Sequence, residues 1–379
     1  MLKDVTLPKK PSSDGYYHLN IKTEHGRTQI KDKTLEGLKR KYIDKYNSLA
    51  PTFDDVFEKM KLKKLSLVRD PDKYHSVQNT IARYDADYKR FFLGSNLRTK
   101  PISQITKREL EEFVEYNLTR YDLHRSGLMN LRTVLSKTFQ HAKYEGYSEN
   151  INALVDYSQF DSMLFPSEKI SNRIHTKEEI ANIIREVRRL EQGNPKFLAR
   201  YALELQMLAG TRRGEIPPLR WTDVNGVLSI TREQVIDRTT GEDIIVNHTK
   251  TDKDRVFPIT DDIEDFLGRL REAHDKLGLD SEYLFPSSRT CSGVIRANQI
   301  HNCYYKICKK LNISLSHEAR KGVHSFRRNH ITQAVNNSNG NIVMAAELYG
   351  NSVQTIRRNY YDKMDVDKAL DVANTIKLW

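Results

Sequence analysis

The chain has 379 residues, with 62 lysines and arginines against 50 acidic residues and a formal net charge of +12. This length suggests two or three domains, and the charge favours a polyanionic partner, which could be DNA, RNA or an acidic membrane. The three cysteines, Cys291, Cys303 and Cys308, lack both metal-ligand spacing and the density of a secreted disulfide scaffold, and no segment reaches the roughly twenty apolar residues that span a bilayer. We therefore expect a soluble cytoplasmic protein with reduced thiols and no membrane partner.

Residues 1–50 are predicted to form a small α+β domain. Turn residues and alternating apolar residues indicate a β-hairpin, with key positions at Gly15, Tyr17, Leu19, Ile21, Gly26 and Ile30. A helix follows, with apolar residues at helical spacing, namely Leu35, Leu38, Tyr42 and Tyr46. Interleaved lysines and arginines favour a DNA-binding role, and a structural hairpin with a solvated basic face is the alternative.

Residues 51–160 carry helical stripes of apolar residues and are predicted to form a helical bundle. Thr106 and Glu109 have the spacing of a capping box, which predicts a helix that starts at Lys107. Function in this region would belong to basic residues between the stripes, such as Arg83, Lys89, Arg125 and Arg132. Each of these, taken singly, favours a solvated surface charge over a phosphate contact.

Residues 161–174 lack periodicity and are predicted to be a linker to a last domain, 175–379. A second capping box, Thr176 with Glu179, marks the first helix of that domain. Helical patterns dominate the domain except between Gly226 and Ile259, where three short strands are predicted, at 227–230, 243–246 and 256–259. The turn before the third strand is expected to be a hairpin turn that presents Lys250.

The C-terminal half contains, in chain order, the side chains that phosphodiester chemistry needs, namely Arg212, Lys250, His324, Arg327 and Tyr360. Two guanidiniums can clamp a phosphate, a lysine can protonate a leaving oxygen, a histidine can move protons and a tyrosine can attack phosphorus. Taken singly, each has an ordinary structural interpretation, such as a solvated arginine, a core histidine or one of 19 tyrosines. Their order and local contexts are what indicate a site.

Residues 208–216 read LAGTRRGEI, residues 324–327 read HSFR, and the segment 348–360 ends in Asn359 and Tyr360. These segments resemble the first arginine motif, the His-x-x-Arg box and the nucleophile segment of the tyrosine recombinases, the phage-integrase family. The first motif selects Arg212 rather than Arg213 as the catalytic arginine, with Glu215 as a supporting residue. In the family the nucleophile lies about nine residues beyond a His or Trp, a spacing that selects Tyr360 over Tyr361.

Two positions fit the family pattern less closely. The catalytic lysine of the family lies in a β-hairpin turn before an arginine and a short apolar strand, which selects Lys250, with Lys253 as the alternative. Asn351 stands where the family usually has His or Trp. Because an amide can donate a hydrogen bond but cannot act as an acid near neutral pH, we expect Asn351 to support a phosphate rather than transfer a proton.

The resemblance implies a mainly α fold with small β-sheets, in which a tyrosine-recombinase catalytic domain, 175–379, follows a helical, SAM-like core-binding domain, 51–160. Residues 1–50 resemble the arm-type DNA-binding domain of integrases from conjugative transposons and other mobile elements. The tail beyond the nucleophile, 365–379, has an apolar helical face and is expected to dock on a neighbouring protomer, with packing on its own domain as the alternative.

The implied reaction is site-specific recombination. Tyr360 would form a 3′-phosphotyrosyl link while Arg212 and Arg327 neutralise the phosphate, Lys250 protonates the leaving 5′ oxygen and His324 assists. No metal or cofactor is expected. The resemblance further implies four protomers on two DNA attachment sites, exchange through a Holliday junction, an association with the bacterial nucleoid, and an excisionase or DNA-bending protein as a candidate accessory partner. A type IB topoisomerase and a catalytically silent DNA-binding protein are the rival interpretations.

Overall fold

The computed structural model describes residues 7–23, 26–160, 173–315 and 321–359. It is mainly α-helical with small β-sheets, which confirms the predicted fold class. The chain divides into two compact units, one comprising Met1–Val68 with Thr80–Pro166 and the other comprising Arg69–Asn79 with Ser167–Trp379. The predicted division into three functional domains stays a prediction. None of the described helices has the length and apolar character that a bilayer crossing requires.

The first unit begins with the expected hairpin, in which strand β1 (Tyr17–Thr23) pairs antiparallel with strand β2 (Gly26–Asp32). Helix α1 (Leu35–Leu49) starts at Thr34, whose hydroxyl accepts a hydrogen bond from the Gly37 amide at 3.0 Å. Leu38 and Tyr42 of α1 pack against Leu19 of the hairpin in a small core.

The remainder of this unit is built from helices α2 (Phe53–Ser66), α3 (Pro71–Phe92), α4 (Lys107–Tyr121) and α5 (Arg125–Tyr144). The first residues of α3, up to Asn79, are assigned to the second unit. Aromatic rings fill the core, with Phe53 stacked on Phe92 at 5.0 Å between ring centroids. The Thr106 hydroxyl accepts from the Glu109 amide at 3.3 Å, and the Glu109 carboxylate accepts from the Thr106 amide. Helix α4 therefore starts at Lys107, as predicted.

The second unit is organised around helix α7 (Leu198–Ala209), which lies among helices α6 (Lys177–Gly193), α8 (Asp261–Leu277), α9 (Ala297–Lys310) and α10 (His324–Asn337). Apolar residues around most of the α7 circumference are buried, as expected for a central helix. The predicted capping box starts α6, since the Thr176 hydroxyl accepts from the Glu179 amide at 3.1 Å. Helices α11 (Ile342–Tyr349) and α12 (Val353–Asn359) complete the described part of the unit.

The small sheets of this unit differ from the prediction. The described residues contain β3 (Val227–Ile230), β4 (Glu233–Ile236), β5 (Asp243–Val246) and β6 (Arg255–Pro258), and β4 was not predicted. Strand β3 pairs with β6, while β4 pairs with β5. The expected hairpin around Lys250 is therefore wrong in its pairing, because β5 and β6 flank the Lys250 loop but belong to different two-stranded sheets.

Candidate active site

The first wall of the site is built where helix α7 ends. Gly210 stops the helix with a left-handed φ of 59°, and a Cβ at this position would lie 2.8 Å from the His330 ring. The chain then turns so that the Arg212 amide donates to Glu215 Oε2 at 2.7 Å and Arg212 Nη1 donates to Glu215 Oε1 at 2.8 Å. Glu215 thus fixes both the backbone and the guanidinium of Arg212.

Glu215 is fully buried and binds a second arginine, Arg255, at the start of β6. Arg255 Nη1 donates to Glu215 Oε1 at 3.0 Å, and Arg255 Nη2 donates to Oε2. Burial raises the pKa of Glu215, but the hydrogen bonds and charges of Arg255, Arg212 and Arg327 outweigh it and lower the pKa overall. One carboxylate therefore lies among three guanidiniums, so this cluster carries a net positive charge.

Helix α10 contributes His324 as its first residue and Arg327 one turn later on the same side. Arg327 is fully buried, and its Nη1 donates to the Gly210 carbonyl at 3.2 Å while its Nη2 donates to the Tyr349 carbonyl. The Tyr349 ring lies 5.7 Å from the guanidinium carbon. Arg327 is thus held between the C-terminal ends of α7 and α11, where helix dipoles favour positive charge.

Asn351 joins the two predicted catalytic arginines. Its Oδ1 accepts from Arg212 Nη2 at 3.1 Å and from Arg327 Nη2 at 3.0 Å. The preceding Gly350 ends α11 with a left-handed φ of 59°, and its carbonyl accepts from Arg212 Nη2 at 3.0 Å. Because Oδ1 faces the guanidiniums, the amide keeps its Nδ2 donors, and the buried Nδ2 has no hydrogen-bond partner among the described residues.

Lys250 lies on the loop between β5 and β6, and both ends of this loop are anchored. At one end the buried Thr249 hydroxyl donates to the Lys253 carbonyl at 3.0 Å and accepts from the Lys253 amide at 3.3 Å. At the other end Arg255 is held by Glu215. Lys250 itself is exposed, so the anchored loop presents its ammonium to solvent.

These elements enclose a cavity of about 730 Å³. Its ionisable lining residues are Arg212, Arg213, Glu233, Lys250, His301 and His324, and Asn351 also faces it. Lys250 is a lining residue and Lys253 is not, which favours Lys250 between the two candidates. The excess of cationic groups makes the cavity suitable for an anion.

The pKa values of two cavity-lining residues, His324 and Glu233, are shifted in opposite directions. Burial, together with the charges of Arg327, Arg328, Arg212 and Lys250, lowers the pKa of His324 to about 4. The lowered pKa keeps the imidazole neutral at neutral pH, and the ring is exposed to the cavity. Burial and the nearby Glu215 charge raise the pKa of Glu233 to about 7, against the opposing charges of Arg212 and Lys250.

The family model described as the phage integrase family matches residues 173–366, which is half of the chain and includes every residue of the cavity. The chain belongs to the phage integrase family. It is therefore a tyrosine-type site-specific DNA recombinase. Among curated proteins, none matches its sequence.

Solved structures with the same fold include two integrases and a site-specific recombinase, all of low sequence identity. The Tn1549 transposon integrase, solved with a circular intermediate DNA, is 16% identical with a TM-score of 0.67 over 86% of this chain and 99% of that one. A lambda integrase tetramer bound to a Holliday junction is 17% identical with a TM-score of 0.57 over 96% of this chain and 100% of that one. The XerH recombinase bound to difH is 14% identical with a TM-score of 0.58 over 86% and 97%.

In this integrase-family chain the fold brings together Arg212, Lys250, His324 and Asn351 around one cavity, with Glu215 behind Arg212. Arg327 is fully buried behind Asn351. It does not line the cavity itself, and its hydrogen bond to Asn351 joins it to the cavity wall. Tyr360, Tyr361 and the tail 365–379 lie outside the described residues, as do residues 161–172 of the predicted linker. The described part of the chain contains no cluster of three or more metal-ligating His, Cys, Asp or Glu side chains.

Sequence reasoning missed Arg255, Arg213, Glu233 and His301 as members of the site. Arg255 stands in the segment that was used to place Lys250, and a buried carboxylate at Glu215 needs more positive charge than Arg212 supplies alone. Arg213 was set aside because the motif selects its neighbour. His301 and Glu233 have no local signature, since the fold alone brings them to the cavity.

Proposed function

We propose that this recombinase cuts and rejoins double-stranded DNA at attachment sites of a mobile element through a covalent link to Tyr360. The observation that carries the proposal is the bridge from Asn351 to both Arg212 and Arg327 at the wall of a cavity that Lys250 and His324 also line. This arrangement concentrates fixed cationic donors, which a pentacoordinate phosphorus transition state requires.

Helix α12 supports Tyr360 as the nucleophile. Ser352 and Thr355, at its beginning, line the cavity, and the helix ends at Asn359, the residue before Tyr360. The Ser352 hydroxyl accepts from the Thr355 amide at 3.1 Å and so caps the helix start. The helix therefore leads from the phosphate cavity to the predicted nucleophile.

In the proposed cleavage the Tyr360 oxygen bonds to phosphorus as the bond from phosphorus to the 5′ oxygen breaks. His324, neutral at neutral pH, accepts the tyrosine proton, and Lys250 gives a proton to the departing 5′ oxygen. Arg212 stabilises a non-bridging oxygen, the Asn351 amide donates to a second one, and Arg327 adds its charge from behind. A 5′-hydroxyl from another strand reverses these steps and rejoins the DNA.

We further propose that four protomers act on two attachment sites. The lambda integrase tetramer bound to a Holliday junction supports this assembly, and the Tn1549 transposon integrase bound to a circular intermediate DNA supports a role in a mobile element. An excisionase or a DNA-bending protein remains a proposed accessory partner.

The test is covalent trapping on a nicked suicide duplex that carries the end of the element. Wild type, Tyr360→Phe and Tyr361→Phe are incubated with the duplex, and adducts are separated on a denaturing gel. We expect adduct with wild type and Tyr361→Phe but not with Tyr360→Phe. Loss in Tyr361→Phe alone would move the nucleophile by one residue, and no wild-type adduct on a bound site would overturn the proposal.

A further inference from the structure

Arg213 faces the cavity in a different state from its neighbour Arg212. Three of the five N–H donors of Arg212 already bond to Glu215, Gly350 and Asn351, and the other two remain for a phosphate. Arg213 is half-buried, and among the described residues it has neither a hydrogen-bond partner nor an ion-pair partner. Burial lowers the pKa of Arg213, with no carboxylate to offset it. A half-buried guanidinium without a counter-charge is costly unless an anion joins it.

The backbone that carries Arg213 is fixed on both sides. Arg212 and Glu215 are tied to each other through backbone and side chain, and the Glu215 amide donates to the Arg212 carbonyl at 3.0 Å. Gly214 packs against strand β4, where an added Cβ would lie 3.1 Å from the Gln234 carbonyl oxygen. The turn therefore holds the Arg213 Cα in place, which limits where its guanidinium can lie along the cavity wall.

His301 of helix α9 lies close to Arg213 on the same cavity wall. It is a cavity-lining residue, and burial together with the Arg213 charge lowers its pKa. A neutral imidazole next to a cation can donate one hydrogen bond without adding to the repulsion. The pair thus combines a forked cationic donor with a neutral donor.

We propose that Arg213 and His301 form a second phosphate-binding subsite of the cavity, which holds a DNA phosphate next to the scissile one. The proposal rests on the proposed DNA-cleaving function. A phosphate held by Arg212 has same-strand neighbours only about 3.4 Å further along the helix axis, and DNA carries no other anionic group. The forked geometry of arginine suits such a phosphate.

The subsite positions the strand and does not take part in proton transfer. Its role is to fix the register of the scissile phosphate relative to Arg212 and Lys250, since contacts to flanking phosphates set register and orientation. Arg213→Ala should therefore weaken DNA binding on the order of tenfold and lower the slope of log affinity against log salt by about one. The loss should be independent of base sequence.

The experiment is a methylphosphonate scan of the full-length protein on a duplex carrying the element's end. Each phosphate around the scissile position is replaced in turn by a neutral methylphosphonate, and binding is measured for wild type, Arg213→Ala, Arg213→Lys and His301→Gln. Wild type should lose affinity when the neighbouring phosphate is neutralised, and Arg213→Ala should be insensitive at that one position. Arg213→Lys, which keeps the charge but not the fork, should be intermediate.

Arg185→Ala is the matched control, because it removes one exposed positive charge from helix α6 at a position that does not line the cavity. It should keep the full wild-type methylphosphonate profile. If Arg213→Ala also keeps that profile, the subsite does not exist, whatever its effect on overall affinity. Covalent trapping with Tyr360 is scored separately, so that adducts with an unchanged profile would refute only the subsite, and a changed profile without adducts would refute only the cleavage proposal.

Discussion

Two clusters of arginines around buried glutamates lie in the second unit, and their ratios of positive to negative charge differ. At the cavity, the single carboxylate of Glu215 is shared by Arg212 and Arg255 and feels the charge of Arg327. Between helices α6, α7 and α8, the buried Glu191 and Glu204 share Arg269, and Glu204 also binds Arg188. The first cluster has spare positive charge, and the second has at least as many carboxylates as arginines.

The pKa shifts reflect this difference. The guanidiniums around Glu215 lower its pKa, whereas burial and the nearby Glu204 charge raise the pKa of Glu191 well above its usual range. Glu191 therefore holds a proton at neutral pH. The carboxylates of Glu204 and Asp265 then balance Arg188 and Arg269, so this cluster is internally neutralised. A cluster whose residual charge opens to a cavity is suited to bind a ligand, while a neutralised cluster is suited to packing.

The largest difference between the clusters should appear in stability. Glu215→Gln removes the counter-charge of buried arginines, and we expect it to lower the free energy of unfolding by about 3 kcal/mol. Glu191→Gln replaces a carboxyl that is already protonated, so we expect less than about 1 kcal/mol. Denaturant unfolding followed by circular dichroism measures both, and equal losses would contradict the charge-ratio argument.

The rate of covalent adduct formation should also respond very differently to substitutions in the two clusters. Arg212→Lys keeps a positive charge but cannot hold Glu215, Gly350 and Asn351 together while offering a donor to phosphate. We expect the rate of covalent adduct formation to fall by about 10²–10³-fold, with a much smaller change in DNA affinity. Arg188→Lys, the equivalent change in the other cluster, should leave the rate within a few-fold of wild type. A similar loss in both variants would point to general damage to the fold.

Local sequence signals predicted much of this fold and part of the site. The capping boxes at Thr106 and Thr176 gave correct helix starts, because a cap depends on residues three apart. Strand β4 was missed because Glu233–Ile236 is short and begins with two polar residues, so its pairing with β5 depends on the surrounding fold.

The site residues divide in the same way. Arg212, His324 and Asn351 have local motifs, whereas Arg255 meets Glu215 across 40 positions and His301 reaches the cavity on a separate helix. The carbonyls of Tyr349 and Gly350 that hold the arginines are backbone groups, which no residue pattern identifies. Contacts that depend on tertiary packing, rather than on neighbours in the chain, are the ones that the sequence did not reveal.

Asn351→Asp should reduce the net positive charge of the cavity cluster by one. The carboxylate would still accept from Arg212 and Arg327 while adding the missing negative charge, so we expect the free energy of unfolding to rise by about 1 kcal/mol. Adduct formation should fall at least about tenfold, because a second anion now opposes the phosphate and the amide donor is lost. Asn351→Ala, the control, should lower both stability and adduct formation. A variant with Asp that is both more stable and fully active would contradict the proposal that the surplus charge serves catalysis.

The smallest expected effect is a pH dependence of DNA binding that belongs to Glu233. Its folded-state pKa of about 7 exceeds the ordinary value of 4.5, so it contributes stability at low pH that is lost as pH rises toward 7. His324 acts in the opposite sense below neutrality, because its pKa is lowered from 6.5 to about 4 and its contribution is lost as pH falls through that window. Above pH 7 the imidazole is neutral in both the folded and the unfolded protein, so His324 adds no pH dependence there.

A bound phosphate raises the pKa of Glu233 further, because like charges oppose its ionisation. DNA binding is then coupled to proton uptake, and affinity should fall a few-fold as pH rises from about 7 to about 8. Glu233→Gln should remove this dependence, while Glu191→Gln, which changes a carboxyl in the neutralised cluster, should leave it intact. Fluorescence anisotropy at constant ionic strength measures both. An unchanged pH profile in Glu233→Gln would assign the proton to another group and remove Glu233 from the phosphate site.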